Sequence, residues 1–137
     1  MPVIYLITPT NGRVWTQLAE LIRFRNTIVN VPNLLWIVIE DAKYKTRKIS
    51  NFLSNSSILH VHLNELTPDD QLLHPNKHSL PKPRGVFQRN KGLAWLRDNQ
   101  HRIDTNGVIY FADDDNTYDA KLFEEVITLE SETLMIV

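Results

Sequence analysis

Three continuous apolar runs constrain this chain more than any other feature: Val3-Ile4-Tyr5-Leu6-Ile7, Leu35-Trp36-Ile37-Val38-Ile39 and Val108-Ile109-Tyr110-Phe111-Ala112. A strand with one wet face alternates apolar and polar residues. Unbroken runs rich in β-branched and aromatic side chains instead mark strands covered on both faces, as in a mainly parallel sheet. Between the runs the period lengthens. Val14, Leu18, Leu21 and Ile22 share one face of a helix, and Leu122, Phe123, Val126 and Ile127 do the same after the third run. Residues 58–63 read as a further strand, preceded by a helix over residues 45–53, and residues 86–97 read as a helix with Val86, Leu93 and Leu96 inward. Alternation of this kind predicts an α/β fold, a mainly parallel sheet flanked by helices and joined by right-handed crossovers.

The chain has 137 residues, 42% hydrophobic and 23% charged, which matches one ordinary globular domain. Its 15 basic and 16 acidic residues give a net charge of −1, so it lacks the broad basic surface that nucleic acid or an anionic membrane demands. Any bound anion must be held by a local cluster. The absence of cysteine removes disulfides and thiolate metal sites. The longest apolar runs span about five residues, against roughly 20 needed to cross a bilayer, and Met1-Pro2-Val3 lacks the basic start of a signal peptide. Residues 64–84 carry Pro68, Pro75, Pro81 and Pro83, which forbid a regular helix or central strand. A loop this long is unusual in a compact domain and reads either as a binding or lid segment or as a solvated excursion.

In open parallel sheets ligands sit beyond the carboxyl ends of the strands, so the residues that end each run carry the chemistry. Four segments qualify: Thr8-Pro9-Thr10-Asn11-Gly12-Arg13, Glu40-Asp41-Ala42, Arg84-Gly85-Val86-Phe87-Gln88-Arg89-Asn90-Lys91, and Asp113-Asp114-Asp115-Asn116. Three successive carboxylates beside a buried strand repel one another and persist most easily when a cation offsets them. Oxygen-only ligands suit magnesium or manganese. The same residues are also good helix caps. Arg84, Arg89 and Lys91 open a helix whose free N–H groups and dipole favour an anion, or they form a solvated basic face. Asp41 can accept from an imide N–H such as uracil presents, or cap a helix. His60 and His62 share a strand face at a spacing that could ligate a metal but lack a third ligand and so read as surface residues, and Pro75 makes a helix through His74 and His78 improbable. Trp15, Trp36 and Trp95 read as packing residues, wholly or partly buried. No G-x-S-x-G, P-loop or G-x-G-x-x-G is present, which removes the usual support for hydrolase, kinase and dinucleotide readings.

Taken together, Pro9-Thr10-x-x-Arg13, Trp36-Ile37-Val38-Ile39-Glu40-Asp41-Ala42, Arg84-Gly85-Val86-x-Gln88-Arg89-Asn90-Lys91 and Tyr110-Phe111-Ala112-Asp113-Asp114-Asp115-Asn116-Thr117-Tyr118 resemble the animal β-1,3-glucuronyltransferase family in order and spacing. Leu122-Phe123-Glu124-Glu125 continues the likeness, which covers nearly the whole chain. The resemblance implies a GT-A, Rossmann-like fold. It also implies UDP-glucuronate as donor, manganese (Mn2+) as cofactor, a galactose-ended glycan or proteoglycan linker as acceptor, and inversion by single displacement. Position by position, Asp115 would bind manganese and Asp114 the ribose. Asp41 and Arg84 would address the uracil, Asp113 and Arg89 the glucuronate or its pocket, and Pro9, Asn11 and Arg13 would complete the donor site. No partner nucleic acid is implied. Family members are type II Golgi membrane proteins acting on the lumenal side, and the full-length proteins can form homodimers.

Two departures stand out. The family's usual Tyr, which stacks on uracil, is replaced here by Asn11, a loss on the order of 1–3 kcal/mol by analogy with base stacking on aromatics. Phe87 replaces a usual Glu. The resemblance further implies that residues 1–137 form the UDP-sugar-binding subdomain, with the general base, a Glu, and the acceptor subdomain beyond Val137. The apolar end Leu134-Met135-Ile136-Val137 then reads as a strand without its continuation. A non-catalytic nucleotide-sugar-binding fragment is the alternative from another class. A metal-dependent phosphoryl-transfer domain is a third, needing an Asp or Lys that the pattern does not place. Asn55-Ser56-Ser57 is a glycosylation sequon, in keeping with a secretory lumen.

Overall fold

The computed structural model describes residues 2–13, 15–68 and 85–114. Within them the chain runs β1 (Ile4–Thr10), α1 (Gln17–Ile28), β2 (Leu34–Glu40), α2 (Arg47–Ser54), β3 (His60–Asn64), α3 (Val86–Asp98), a short 3-10 turn (Gln100–Arg102) and β4 (Val108–Phe111). The four strands form one parallel sheet in the order β3-β2-β1-β4. The expected parallel α/β architecture is therefore present. The expected helix at residues 122–127, His74 and His78, most of the proline-rich loop and the terminal apolar run lie outside the described residues.

Alternate residues of the central strands feed two cores. Ile4, Leu6, Trp36 and Val38 face α1 and α2, packing with Leu21, Phe24, Ile28, Ile49 and Leu53. Tyr5, Ile7, Ile37 and Ile39 face the opposite layer and pack with Leu96 of α3. Both faces of β1 and β2 are thus covered, which is why those runs show no alternation. The edge strands β3 and β4 are only partly buried. Trp36 is fully buried, meets Phe24 and Phe52 edge to face at 5.7 and 6.0 Å between ring centroids, and donates its indole N–H to Thr8 Oγ1 at 3.0 Å. That bond satisfies the one polar group the ring brings into the core.

Several sequence expectations need correction. β1 continues three residues past its apolar run, because the buried hydroxyls of Thr8 and Thr10 find partners and Pro9 remains in register with Ile39. β2 likewise takes in Glu40, whose carboxylate is buried and fully engaged. The helix expected over residues 45–53 begins at Arg47, with Thr46 as its cap, and β3 begins at His60 rather than at residue 58. On α1 the inward face is Gln17, Leu21, Phe24 and Ile28, while Ile22 is 45% exposed. On α3 Leu96 is buried and Leu93 packs against the same core as expected, but Gln88 and Gly92 share the inward face and Val86 is exposed. The reason lies in Gly92: a Cβ there would stand 3.0 Å from Ile7 Cγ2 and 3.2 Å from Ile39 Cδ1. The helix approaches the sheet along its smallest residue, which rotates Val86 outward. Trp15, expected to pack, is fully exposed in the turn before α1.

Candidate functional site

The chain order defines where a site can form. From β1 it moves outward through α1 to β2 and through α2 to β3, then returns by way of α3 to β4 on the other side of β1. The strand order reverses between β1 and β4, and a crevice opens there at the carboxyl ends in sheets of this type.

Each strand delivers polar groups to that end. Beyond β1, Asn11 Oδ1 accepts from Arg13 N–H at 2.9 Å, a local turn that directs Arg13 toward Asp41, 3.8 Å from guanidinium to carboxylate. Beyond β2, Asp41 donates its backbone N–H to Thr10 O at 2.8 Å. Its carboxylate accepts from Thr67 N–H at 2.8 Å and from Thr67 Oγ1 at 2.9 Å. Thr46, not Asp41, caps α2, so the helix-cap reading of Asp41 is set aside. Beyond β4, Asp114 Oδ2 accepts from Thr10 Oγ1 at 2.8 Å, and that hydroxyl accepts from buried Gln17 Nε2 at 3.0 Å. Thr10 thereby ties the ends of β1 and β4 across the switch point.

The amino end of α3 completes the rim. Gly85, its cap, has φ of 84°, and a Cβ there would meet Pro9 Cγ at 2.8 Å. Only glycine fits both the left-handed backbone and the contact with the end of β1. Arg89, one turn on, donates Nη2–H to Asp113 Oδ1 at 2.7 Å, joining α3 to the β4 end. Lys91 stands 4.0 Å from Glu65 in a partly exposed pair. Of the candidate residues, the structure brings Pro9 against Gly85, Arg13 beside Asp41, and Arg89 onto Asp113, with Asn11 and Asp114 on the adjoining turns. Arg84 and Asp115 lie outside the described residues.

The sequence reading missed Gln17 and Thr67, and it held Thr10 and Gln88 only as members of the strand-end segments, with no role of their own. Gln17 and Gln88 are buried polar residues inside helices, each of which must find partners. Thr67 follows the end of β3, to which the strand-end rule also applies. His62 is not a surface residue: its Nε2 lies 2.5 Å from Glu40 Oε1, and Glu40 also accepts from Thr46 N–H and Oγ1 at 3.0 and 2.9 Å. This network fastens β2, β3 and the start of α2 directly behind Asp41.

The donor set at the β4 end fits a hard divalent cation in kind, being carboxylate oxygens only. Asp113 and Asp114 have oxygens committed to Arg89 and Thr10, and among the described residues no group of three or more His, Asp or Glu is gathered to hold a metal.

A doubly wound parallel sheet with acidic and basic groups gathered at its carboxyl end defines a Rossmann-like α/β fold of the GT-A kind. The model of glycosyltransferase family 43 matches residues 24–134, and the chain belongs to that family. It is 44% identical over 135 residues to galactosylgalactosylxylosylprotein 3-beta-glucuronosyltransferase 3 of Mus musculus, covering 92% of this chain and 40% of that protein. It is 47% identical over 125 residues to galactosylgalactosylxylosylprotein 3-beta-glucuronosyltransferase sqv-8 of Caenorhabditis elegans, covering 91% and 35%. To the corresponding enzyme 1 of Rattus norvegicus it is 44% identical over 127 residues, covering 92% and 38%. The chain thus spans about two-fifths of the length of these curated relatives.

Proposed function

We propose that residues 1–137 form the UDP-sugar-binding subdomain of an inverting β-1,3-glucuronosyltransferase, taking UDP-glucuronate as donor and a galactose-ended glycan or proteoglycan linker as acceptor. The observation that carries this reading is the convergence of Asp41, Arg89, Asp113 and Asp114 on the carboxyl end of the sheet around the β1/β4 switch point. The names of the relatives supply the sugar and the linkage. In this reading Asp41 accepts from the uracil imide, Asp114 binds the ribose, and Arg89 with Asp113 lines the glucuronate pocket. Arg84 joins Asp41 at the base, and Pro9, Asn11 and Arg13 border it. Asp115 holds manganese, which when bound offsets the charge on the departing diphosphate. The general base and the acceptor site belong to a following subdomain. The protein works on the lumenal side of the Golgi membrane as part of a type II membrane protein.

The deciding experiment is calorimetric titration of UDP into the chain with manganese and with chelator, for the wild type and Asp115→Ala. Manganese-dependent binding that the substitution abolishes is expected. Equal affinity with metal or chelator would sink the metal assignment, and no UDP binding in either state would sink the nucleotide reading.

A further inference from the structure

Asp41 is held by a relay that begins on another layer of the fold. Gln88, on the inward face of α3 and 1% exposed, points its amide nitrogen at Glu65 O, 2.6 Å away, and at Thr67 Oγ1, 3.1 Å away. A backbone carbonyl only accepts, so this nitrogen is the donor and the orientation of the amide is determined. The Thr67 hydroxyl, accepting from Gln88, turns its own proton to Asp41 Oδ2 at 2.9 Å, while Thr67 N–H takes Oδ1 at 2.8 Å. Both carboxylate oxygens are thus gripped by one residue. The segment that carries Thr67 is itself fixed by Glu65 N–H on Glu40 O at 2.9 Å.

We infer that Thr67, oriented by Gln88, is a positioning residue for base recognition: it fixes the plane of the Asp41 carboxylate so that a remaining lone pair faces the imide of a uracil. A carboxylate offers about four acceptor sites, so two bonds from Thr67 leave acceptor capacity for a base N–H. Directional hydrogen-bond chains also strengthen one another away from water. An Asp41 free to rotate would accept equally well from water and would distinguish uracil from cytosine less sharply, because cytosine presents an acceptor where uracil presents the imide N–H. The inference rests on the nucleotide reading above and adds the residue that makes the base contact selective.

Thr67→Val removes the hydroxyl while keeping the shape and the backbone donor, and Thr67→Ser restores the hydroxyl. Calorimetry on the full chain would measure UDP and CDP affinities for these variants, for Asp41→Asn, and for Asp41→Asn combined with Thr67→Val. The preference for UDP over CDP is expected to fall about tenfold in Thr67→Val, the scale of losing one hydrogen bond to a charged group. It should recover in Thr67→Ser, and Thr67→Val should add nothing once Asp41 is Asn. Equal weakening of both nucleotides, full additivity with Asp41→Asn, or an unchanged preference while Asp41→Asn lowers it would each overturn the positioning role alone. If UDP binds and Asp41→Asn leaves the preference intact, or if UDP does not bind at all, the base-recognition reading falls and this inference with it.

Discussion

Replacing Gly85 by Ala tests how the fold brings α3 to the site. The cost has two parts and one offset. At φ of 84° an alanine occupies the left-handed region, which costs about 1–2 kcal/mol. Its Cβ would lie 2.8 Å from Pro9 Cγ, 3.1 Å from Pro9 Cβ and 3.3 Å from Arg89 Cζ. A proline ring held in a central strand cannot rotate away, so the overlap adds roughly 1–3 kcal/mol of overpacking. Against this, alanine reduces the entropy of the unfolded chain by about 0.4–1 kcal/mol. The net is a loss of about 1–4.5 kcal/mol, which for a domain of this size lowers Tm by roughly 4–16 °C. Gly92→Ala is the contrast. Its Cβ also meets side chains, at 3.0 Å from Ile7 and 3.2 Å from Ile39, but it sits in a helix, where alanine gains about 1 kcal/mol over glycine. Thermal melts followed by circular dichroism should therefore place Gly85→Ala well below Gly92→Ala. A Gly85→Ala melt within about 2 °C of wild type would refute both the left-handed cap and its contact with Pro9.

Glu40→Gln should destabilise the chain by about 2–4 kcal/mol, because a buried carboxylate with three donors becomes an amide whose NH2 must face one of them; urea denaturation reads the change, and a midpoint equal to wild type would contradict the network. Arg89→Met and Asp113→Asn should each change stability by under about 1 kcal/mol, since the pair is partly exposed, yet each should weaken UDP-glucuronate binding measured by calorimetry more than UDP binding. Burial pushes the Tyr5 phenol above its ordinary value, and the nearby Asp104 charge adds to the shift. The unfolded chain therefore loses this proton first, so the stability Tyr5 contributes is present below about pH 10 and declines as pH rises through the folded value; Tyr5→Phe should remove that part of the alkaline decline in pH-dependent melts. Asn11→Tyr should tighten UDP binding several-fold, because stacking worth about 1–3 kcal/mol outweighs the exposed turn bond to Arg13 worth about 1 kcal/mol.

The buried strands were legible because their residues obey one rule along their length: apolar wherever a layer covers them. The ends were not, because there the rule changes residue by residue. Thr8, Thr10 and Glu40 look like turn residues in isolation, and in the strands their polar groups are satisfied by Trp36 and His62 from distant segments and by Gln17 and Thr46 from the turns that follow. On α3 Leu93 and Leu96 were read correctly, and Val86 was misplaced for a related reason. Periodicity weights large apolar side chains, so it selected Val86, whereas close approach to the sheet selects the small residue Gly92 and the satisfied polar residue Gln88. Trp15 shows the converse, an aromatic whose hydrophobicity does not secure it a place in either core.

Among the candidate site residues, those read from charge at strand ends were visible in the sequence, and the polar residues that hold them were not. Asp41, Arg89, Asp113 and Asp114 are conspicuous because charge is rare beside apolar runs. Thr10, Thr67 and Gln88 are unremarkable residue types whose importance lies in what they join. Thr10 links β1 to the β4 end, Thr67 links the β3 end to Asp41, and Gln88 brings α3 into the same chain of bonds. Each of these bonds crosses between elements that are adjacent in the sheet or stacked on it but far apart in sequence. A carboxylate at a strand end is free to swing unless such a bond crosses to it, and a swinging carboxylate selects poorly between bases or sugars because it adapts to each. The parallel sheet brings charged groups to one edge. The neutral side chains Thr10, Thr67 and Gln88 give those charges fixed directions at that edge, which is what the selectivity proposed for Asp41 requires.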